Sequence, residues 1–513
     1  MTIRVMERPR RKMVGWLRAA PPATAKLVLE EREYAAMTVD PSEILKIRMS
    51  SAVVMTLRED ETGELTKDLR EHAGRFLDLG CRVLVRVQAH YEDLIAAAIR
   101  AVGLPAANIR KEFVVGNFSE VQPHILLSTI GLVGEDQTEW RRLARFLAQS
   151  DEEPILDAPN LIGPRARALS QTRQDLLMRA FGDCTEVRLS DVPQGRSAAE
   201  VLLAHPIVAR PISGDAAPLF VKFDKRDEVA REHNSYENQV RPFVPYHLGP
   251  HLAERRCCLG AVEGVLVGTY IEESESLLTC AMAGRSAGII SGLLTRTLAG
   301  WHRSARIEQT EYGVSLASGM PSDISPARYA QAKKFGAQYT LDELRARVKS
   351  VGPEQAWVGN VHGDLHAENV RARGSDAVLI DFGKSTHGPL LVDPAALEAS
   401  LFVGDVAAEI RAGQRIAEPT WRSSMARMYA QDQLRNVPHV SKLGGPCEWL
   451  KSGIRQIRLH AMNMEPEPGQ YARALGVALL RTATRRPSAT AAENRRRALA
   501  YVFGEKLTMM EWT

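Results

Sequence analysis

The sequence predicts a small α/β domain with a mainly parallel sheet over residues 46–150, followed by a larger α+β region that is helical in its C-terminal part. Three observations carry this. At 513 residues the chain is too long for one ordinary core, so two or three domains are expected. Between 46 and 150, apolar runs of strand length alternate with stretches of helical spacing. From about 184, strand-like runs come first and helical spacing follows.

Composition narrows the class. With 45% hydrophobic and 25% charged residues the chain reads as soluble and globular, and a net charge of +4 gives no general argument for nucleic-acid binding. Six cysteines form no C-x-x-C pair, which points to buried free thiols in a reducing compartment. The apolar run Met13 to Leu17 is too short for a leader, and the most membrane-like stretch, Ala281 to Ala299, carries Arg285 and Arg296. A cytoplasmic protein without a membrane span is expected.

In chain order, residues 1–45 read as a basic N-terminal arm (Arg10, Arg11, Lys12, Arg18), a solvated tail without the aromatic interleaving of a nucleic-acid site. Ala52 to Leu57 and Arg82 to Val87 read as strands, Glu64 to Leu79 and Tyr91 to Val102 as helices ended by Gly80 and Gly103. Phe113 to Val115 and His124 to Leu127 are further strands. This order resembles a receiver domain. Glu59, Asp60 and Glu61 supply an acidic group after a strand, but Gly116-Asn117 follow Phe113 to Val115 and no Asp does, so a non-catalytic sensor or docking domain, with a protein as partner, is expected. Residues 151–183 read as a linker and a helix, Arg165 to Phe181.

The chemistry concentrates in Trp357 to Pro394. His362-Gly363-Asp364 opens a loop that closes at Asn369, and the apolar run Ala377 to Ile380 delivers Asp381-Phe382-Gly383. Phosphoryl transfer needs such a set: one carboxylate to orient the attacking hydroxyl and take its proton, then an amide oxygen and a second carboxylate for Mg²⁺. Hard Mg²⁺ suits Asn and Asp oxygens, and few protein ligands suffice because phosphates supply the rest.

HGDLHAEN followed by LIDFG resembles the aminoglycoside phosphotransferase and choline kinase branch of the protein-kinase-like superfamily. The resemblance implies a bilobal α+β fold, with an N-lobe over 184–275 and a helical C-lobe over 276–513. It implies an ATP-dependent phosphotransferase that uses Mg²⁺ and acts on a hydroxyl acceptor, a small molecule or a protein. In this reading Asp364 is catalytic, and Asn369 and Asp381 hold the metal. Lys222, in the apolar strand Pro218 to Phe223, needs a charge partner when buried; the resemblance assigns it phosphate oxygens, with Glu232 on the helix Asp227 to Val240 as its partner. Gly195 and Ser197 lie in the turn over the phosphates, and Tyr270, Ile271 and Glu272 form the hinge whose backbone meets adenine. Gly363 replaces the Arg of the protein-kinase loop, which implies no phosphorylation-controlled activation segment. His362 is expected to orient the loop, and Asp393 to cap the helix that follows. Two other readings stay open: a nucleotide-binding scaffold without turnover, and a protein Ser/Thr kinase.

Overall fold

The computed structural model describes residues 13–17, 20–32, 34–43, 47, 50–56, 72–86, 109–110, 125–128, 140–141, 143–145, 147, 159–192, 200–208, 217–404, 406, 409, 416–435, 447–485 and 490–510. The chain divides into two compact units, Met1–Asn234 with His251–Tyr270, and Ser235–Pro250 with Ile271–Thr513.

In the first unit, strands β1 (Met13–Leu17), β2 (Ala35–Val39), β3 (Ala52–Thr56), β4 (Arg82–Arg86), β5 (Ile109–Arg110) and β6 (Ile125–Ser128) pair in parallel in the order β2-β1-β3-β4-β6-β5. The sheet begins earlier than the sequence reading placed it, because β1 and β2 lie within residues read as a basic arm. Met13 to Leu17 is buried throughout, between β2 and β3. An interior parallel strand is covered on both faces and therefore reads as a continuous apolar run rather than an alternating one. Trp16 packs with Trp140, Val28 and Leu29. The acidic group Glu59 to Glu61, the helix expected at Tyr91 to Val102 and the strand expected at Phe113 to Val115 lie outside the described residues.

The second sheet of this unit comprises β7 (Asn160–Ile162), β8 (Cys184–Asp191), β9 (Glu200–Val208), β10 (Leu219–Lys225), β11 (Cys258–Leu259) and β12 (Glu263–Thr269), ordered β11-β12-β10-β9-β8-β7. All pairs are antiparallel except β7 with β8. Residues read as linker thus supply an edge strand and the helix Gln171–Ala180. That helix starts later than expected because the Ser170 hydroxyl caps it, accepting from the Arg173 N–H at 3.4 Å. Leu176, Leu177 and Phe181 pack on Val187, Leu202, Val221 and Phe223 of the sheet.

A buried carboxylate and an ion pair, Arg75 with Asp175 at 3.5 Å, link the helix before β4 to the part of this unit built on the second sheet. Asp78, ending the helix Gly74–Asp78, accepts a hydrogen bond from the Ala261 N–H at 2.8 Å. Burial, reinforced by the charge of Asp175 and opposed by the Ala261 bond, pushes the Asp78 carboxyl up to about 6.

The second unit carries two three-stranded sheets built from β13 (Glu275–Ser276), β14 (Arg306–Thr310), β15 (Glu354–Val361), β16 (Val370–Arg373), β17 (Asp376–Leu379) and β18 (Thr386–Pro389): β13-β16-β17 and β14-β15-β18. The rest of its described residues are largely helical. The stretch Ala281 to His302, read as one helix, is divided into shorter helical pieces from Leu277 to Ser304, with Gly284 at φ +72° ending the first. On the helix Val392–Val403, Glu398 is fully buried and pairs with Arg458 of the helix Glu448–Met462 at 2.6 Å. The Tyr471 hydroxyl donates to the other Glu398 oxygen at 2.6 Å. All six cysteines are free and buried. Among the described residues no helix is long and apolar enough to cross a membrane.

The Asp78 contact carries a pH signature. A carboxyl raised in the folded state contributes stability that is complete below its unfolded value near 4 and is lost as pH rises through about 6, at most about 3 kcal/mol. Asp78→Asn keeps an acceptor for Ala261 and removes the charge. Melting temperature measured between pH 4 and 7 should fall less steeply in this variant than in wild type; equal slopes would count against the buried acid.

Candidate active site

The loop after β15 is shaped by glycine. Gly363 takes φ +73°, and a Cβ there would collide with the Lys384 carbonyl oxygen. Local backbone geometry therefore explains a glycine at the position where the protein-kinase loop has Arg. Asp393 holds this turn: one carboxylate oxygen accepts from the His362 N–H at 2.7 Å and the other from the Gly363 N–H at 3.0 Å. The expected helix cap is corrected here. Leu391 occupies the cap position, no side chain caps it, and Asp393 reaches back from the first turn to the loop. Burial pushes the Asp393 carboxyl up, against the charge of His362 and the two backbone hydrogen bonds.

Asn369 and Asp381 are brought together by a hairpin. Strands β16 and β17 pair from Val370 opposite Leu379 to Arg373 opposite Asp376, with Gly374 at φ +60° in the tip. Beyond the last pair, the Ile380 N–H donates to the Asn369 carbonyl at 3.0 Å. Asn369 and Asp381 thus flank the open end of the hairpin. The Asn369 amide nitrogen donates to the Asp364 carbonyl at 3.1 Å, which turns its oxygen the other way. Asp381 is held at φ +65°, a conformation that non-glycine residues adopt only under constraint. The buried His362 ring donates from Nε2 to the Ile380 carbonyl at 3.0 Å and lies 5.2 Å from the Phe382 ring, so it links the Asp364 loop to the Asp381 turn. Trp301 meets Phe382 edge-on, as packing rather than chemistry.

The oxygens of Asn369 and Asp381 fit a hard divalent cation. Among the described residues no three His, Cys, Asp or Glu side chains converge on a metal-binding point, so such a cation would complete its shell with phosphate or water oxygens.

Asp364 is flanked by cations. Lys384 Nζ donates to Oδ2 at 2.6 Å and Arg485 Nη2 to Oδ1 at 3.4 Å. Burial alone raises the Asp364 carboxyl; the Lys384 hydrogen bond and charge, with the charges of His366 and Arg485, outweigh it and bring it down to about 2. Partial burial, with the charge of Arg485, pushes His366 down to about 4, so it is neutral near pH 7.

In the other compact unit, Lys222 lies on β10 between Val201 of β9 and Leu266 of β12. Its neighbours Val221 and Phe223 face the core of that unit, so Lys222 faces the opposite side. The helix Arg226–Ser235 follows β10 without a loop and packs Val229 on Leu266. Glu232, three residues further on, meets Lys222 at 2.7 Å, the expected ion pair. The boundary between the two units falls at Tyr270 and Ile271, inside the expected hinge. The Tyr270 N–H donates to the Pro218 carbonyl, the Ser274 hydroxyl donates to the Ile271 carbonyl, and Glu272 is exposed. Gly195 and Ser197 lie outside the described residues.

Sequence reasoning missed the grip of Asp393 and the approach of Lys384, Arg481 and Arg485. Lys384 follows the Asp-Phe-Gly directly and reads only as bordering the site; Arg485 reads as part of a basic cluster with Arg486 and Arg495 to Arg497, a solvated helical face before a phosphate or partner site, and nothing local ties it or Arg481 to Asp364. Asp393→Ala should leave two buried N–H groups without acceptors, destabilise the protein by about 2–5 kcal/mol in denaturant titration and loosen the loop. A change below about 1 kcal/mol would show that the grip is dispensable.

Residues 213–427 match the family model described as "Phosphotransferase enzyme family". No curated protein matches the chain significantly. Solved structures that match include a glucosamine kinase in complex with glucosamine, ADP and inorganic phosphate (11% identity, covering 64% of this chain and 84% of that one, TM-score 0.33). Another is an amicoumacin kinase in complex with AMP-PNP, Ca²⁺ and Ami (11%, 62% and 87%, 0.31). A third is an aminoglycoside phosphotransferase, APH(3'')-Id, from Streptomyces rimosus (15%, 56% and 99%, 0.28). At these TM-scores the likenesses carry no argument. The stretch that matches the phosphotransferase family model contains Lys222, Glu232, Asp364, Asn369, Asp381 and Asp393.

Proposed function

We propose that the protein is an ATP-dependent phosphotransferase acting on a hydroxyl group with Mg²⁺. The observation that carries this reading is the hairpin that pairs Asn369 with Ile380, so that Asp381 is the next residue at its open end, with Asn369 also bonded to the Asp364 backbone. Bound Mg²⁺ would supply charge neutralisation at the nucleotide phosphates, with Asn369 and Asp381 as its protein ligands. Asp364 orients the acceptor hydroxyl and takes its proton as the new oxygen–phosphorus bond forms; the bond from the γ-phosphorus to the β,γ-bridging oxygen breaks, and ADP leaves. Lys222, fixed by Glu232, holds phosphate oxygens. Backbone groups of Tyr270, Ile271 and Glu272 meet the adenine, and the turn with Gly195 and Ser197 lies over the phosphates. The N-terminal parallel sheet, receiver-like in its sequence order, serves as a non-catalytic docking domain.

A nucleotide-binding scaffold is the second reading, favoured by the two cations that occupy Asp364 in the free protein. An acceptor hydroxyl has to share or displace them.

Turnover of ATP with Mg²⁺, measured beside nucleotide titration, separates the two. Asp364→Asn should lower turnover by about 10²–10⁴-fold with nucleotide affinity nearly unchanged, and Asp381→Ala should abolish turnover. Nucleotide binding with no turnover under any acceptor would support the scaffold, and unchanged turnover in Asp364→Asn would remove it from the chemistry.

The acid limb of activity offers a further test. Asp364, down to about 2, stays ionised across the working range. In Lys384→Met the pairing is lost while burial still opposes ionisation, so the pH below which activity falls should move upward. An unmoved limb would show that Lys384 does not set this carboxylate.

A further inference from the structure

We propose that the acceptor carries an anionic group, a phosphate or a carboxylate, beside the hydroxyl that is phosphorylated, and that Arg481 and Arg485 receive it. The inference rests on the phosphotransferase reading and names the substrate class of the same site.

The charges around the Asp364 loop do not balance. Arg481, on the helix Gln470–Thr484, donates to the Gly363 carbonyl at 3.3 Å. Arg485, four residues later and just past that helix, reaches Asp364 at 3.4 Å, so two guanidinium groups border consecutive residues of the catalytic loop. Lys384 is a third cation there, 2.6 Å from Asp364. Of the acids nearby, both Asp393 oxygens accept from loop N–H groups, Glu493 pairs with Arg497 at 2.6 Å, and Asp381, whose charge reaches His366, is the proposed cation ligand. Arg328 adds another positive charge, donating to the Ala483 carbonyl at 2.8 Å between Arg481 and Arg485. Residues 486–489, Arg-Pro-Ser-Ala, contain no acid.

Burial disfavours the charged form of Arg485; Asp364 offsets this in part, and the charges of Arg481 and Arg497 oppose it again. Even so, its side chain remains 46% exposed, within reach of a ligand. Guanidinium groups pair with carboxylate and phosphate through two parallel hydrogen bonds, whereas a cationic acceptor would add one more like charge. Arg481 and Arg485 lie beyond the stretch that matches the family model, which ends at 427, so this feature is not part of that match.

The test uses the full chain saturated with AMP-PNP and Mg²⁺. Calorimetric titration compares hydroxylated anions (glucose 6-phosphate, glycerol 3-phosphate, gluconate) with glucose and with the cations glucosamine and kanamycin. At least one anion should bind about tenfold or more tightly than glucose, and the cations more weakly than that anion. Arg481→Ala with Arg485→Ala should weaken that anion by about tenfold or more and leave AMP-PNP affinity unchanged. Arg485→Gln, a milder variant checked by thermal melting, should move it in the same direction. Tighter binding of the cations, no binding of any anion, or an anion affinity indifferent to both variants would overturn the proposal. So would a parallel loss of AMP-PNP affinity, which would assign the arginines to the nucleotide. Wild-type protein that fails to bind AMP-PNP would instead sink the phosphotransferase reading itself, an outcome read in a separate titration.

Discussion

One buried carboxylate holds the loop that carries Asp364. Asp393 accepts from two successive backbone N–H groups, His362 and Gly363, and thereby sets the turn from which Asp364 emerges. Its own position depends on the helix Val392–Val403, which is locked five residues later by the buried Glu398–Arg458 pair and the Tyr471 hydroxyl. Such a pair adds little net stability relative to apolar packing, but it admits few alternative arrangements once formed. Gly363 takes its left-handed conformation because it has no Cβ, whereas Asp381 holds the same conformation under constraint.

The electrostatics follow from that frame. Asp364 is largely withdrawn from water, which disfavours its charge, and two side chains from distant parts of the sequence restore it. The carboxylate is therefore a weak base in the free protein.

How far the sequence disclosed this structure depended on whether the information was local. The strand between Asn369 and Asp381, the lysine on an apolar strand and its glutamate one short helix later are written within a few turns of chain, and the structure places Lys222 and Glu232 in contact. The first strand was hidden because five apolar residues beside a basic run look alike whether they form an edge, an interior strand or part of a tail; only the flanking β2 and β3 decide. Asn160–Ile162 was hidden by its prolines and acids, which signal a loop irrespective of whether an edge strand lies inside it. Asp393 stood at a helix start and read as a cap; that it points backward depends on where the loop returns, a tertiary fact. Arg481 and Arg485 approach Asp364 only because the helix Gln470–Thr484 packs across the helix Val392–Val403.

The hairpin between Asn369 and Asp381 acts as a ruler. Its two short strands and glycine tip set the separation of the two side chains by counting residues, with no help from what those residues are. Its ladder is made by the backbone, while Val370, Ala372, Ala377, Val378 and Leu379 are buried and bound to stay small or apolar. The hairpin's length is bound as well: one residue added to a single strand would shift the register and turn one of the two side chains to the opposite face. Changes in the length of this hairpin in related chains should therefore be confined to the tip, a pattern of variation imposed by chain arithmetic rather than by chemistry.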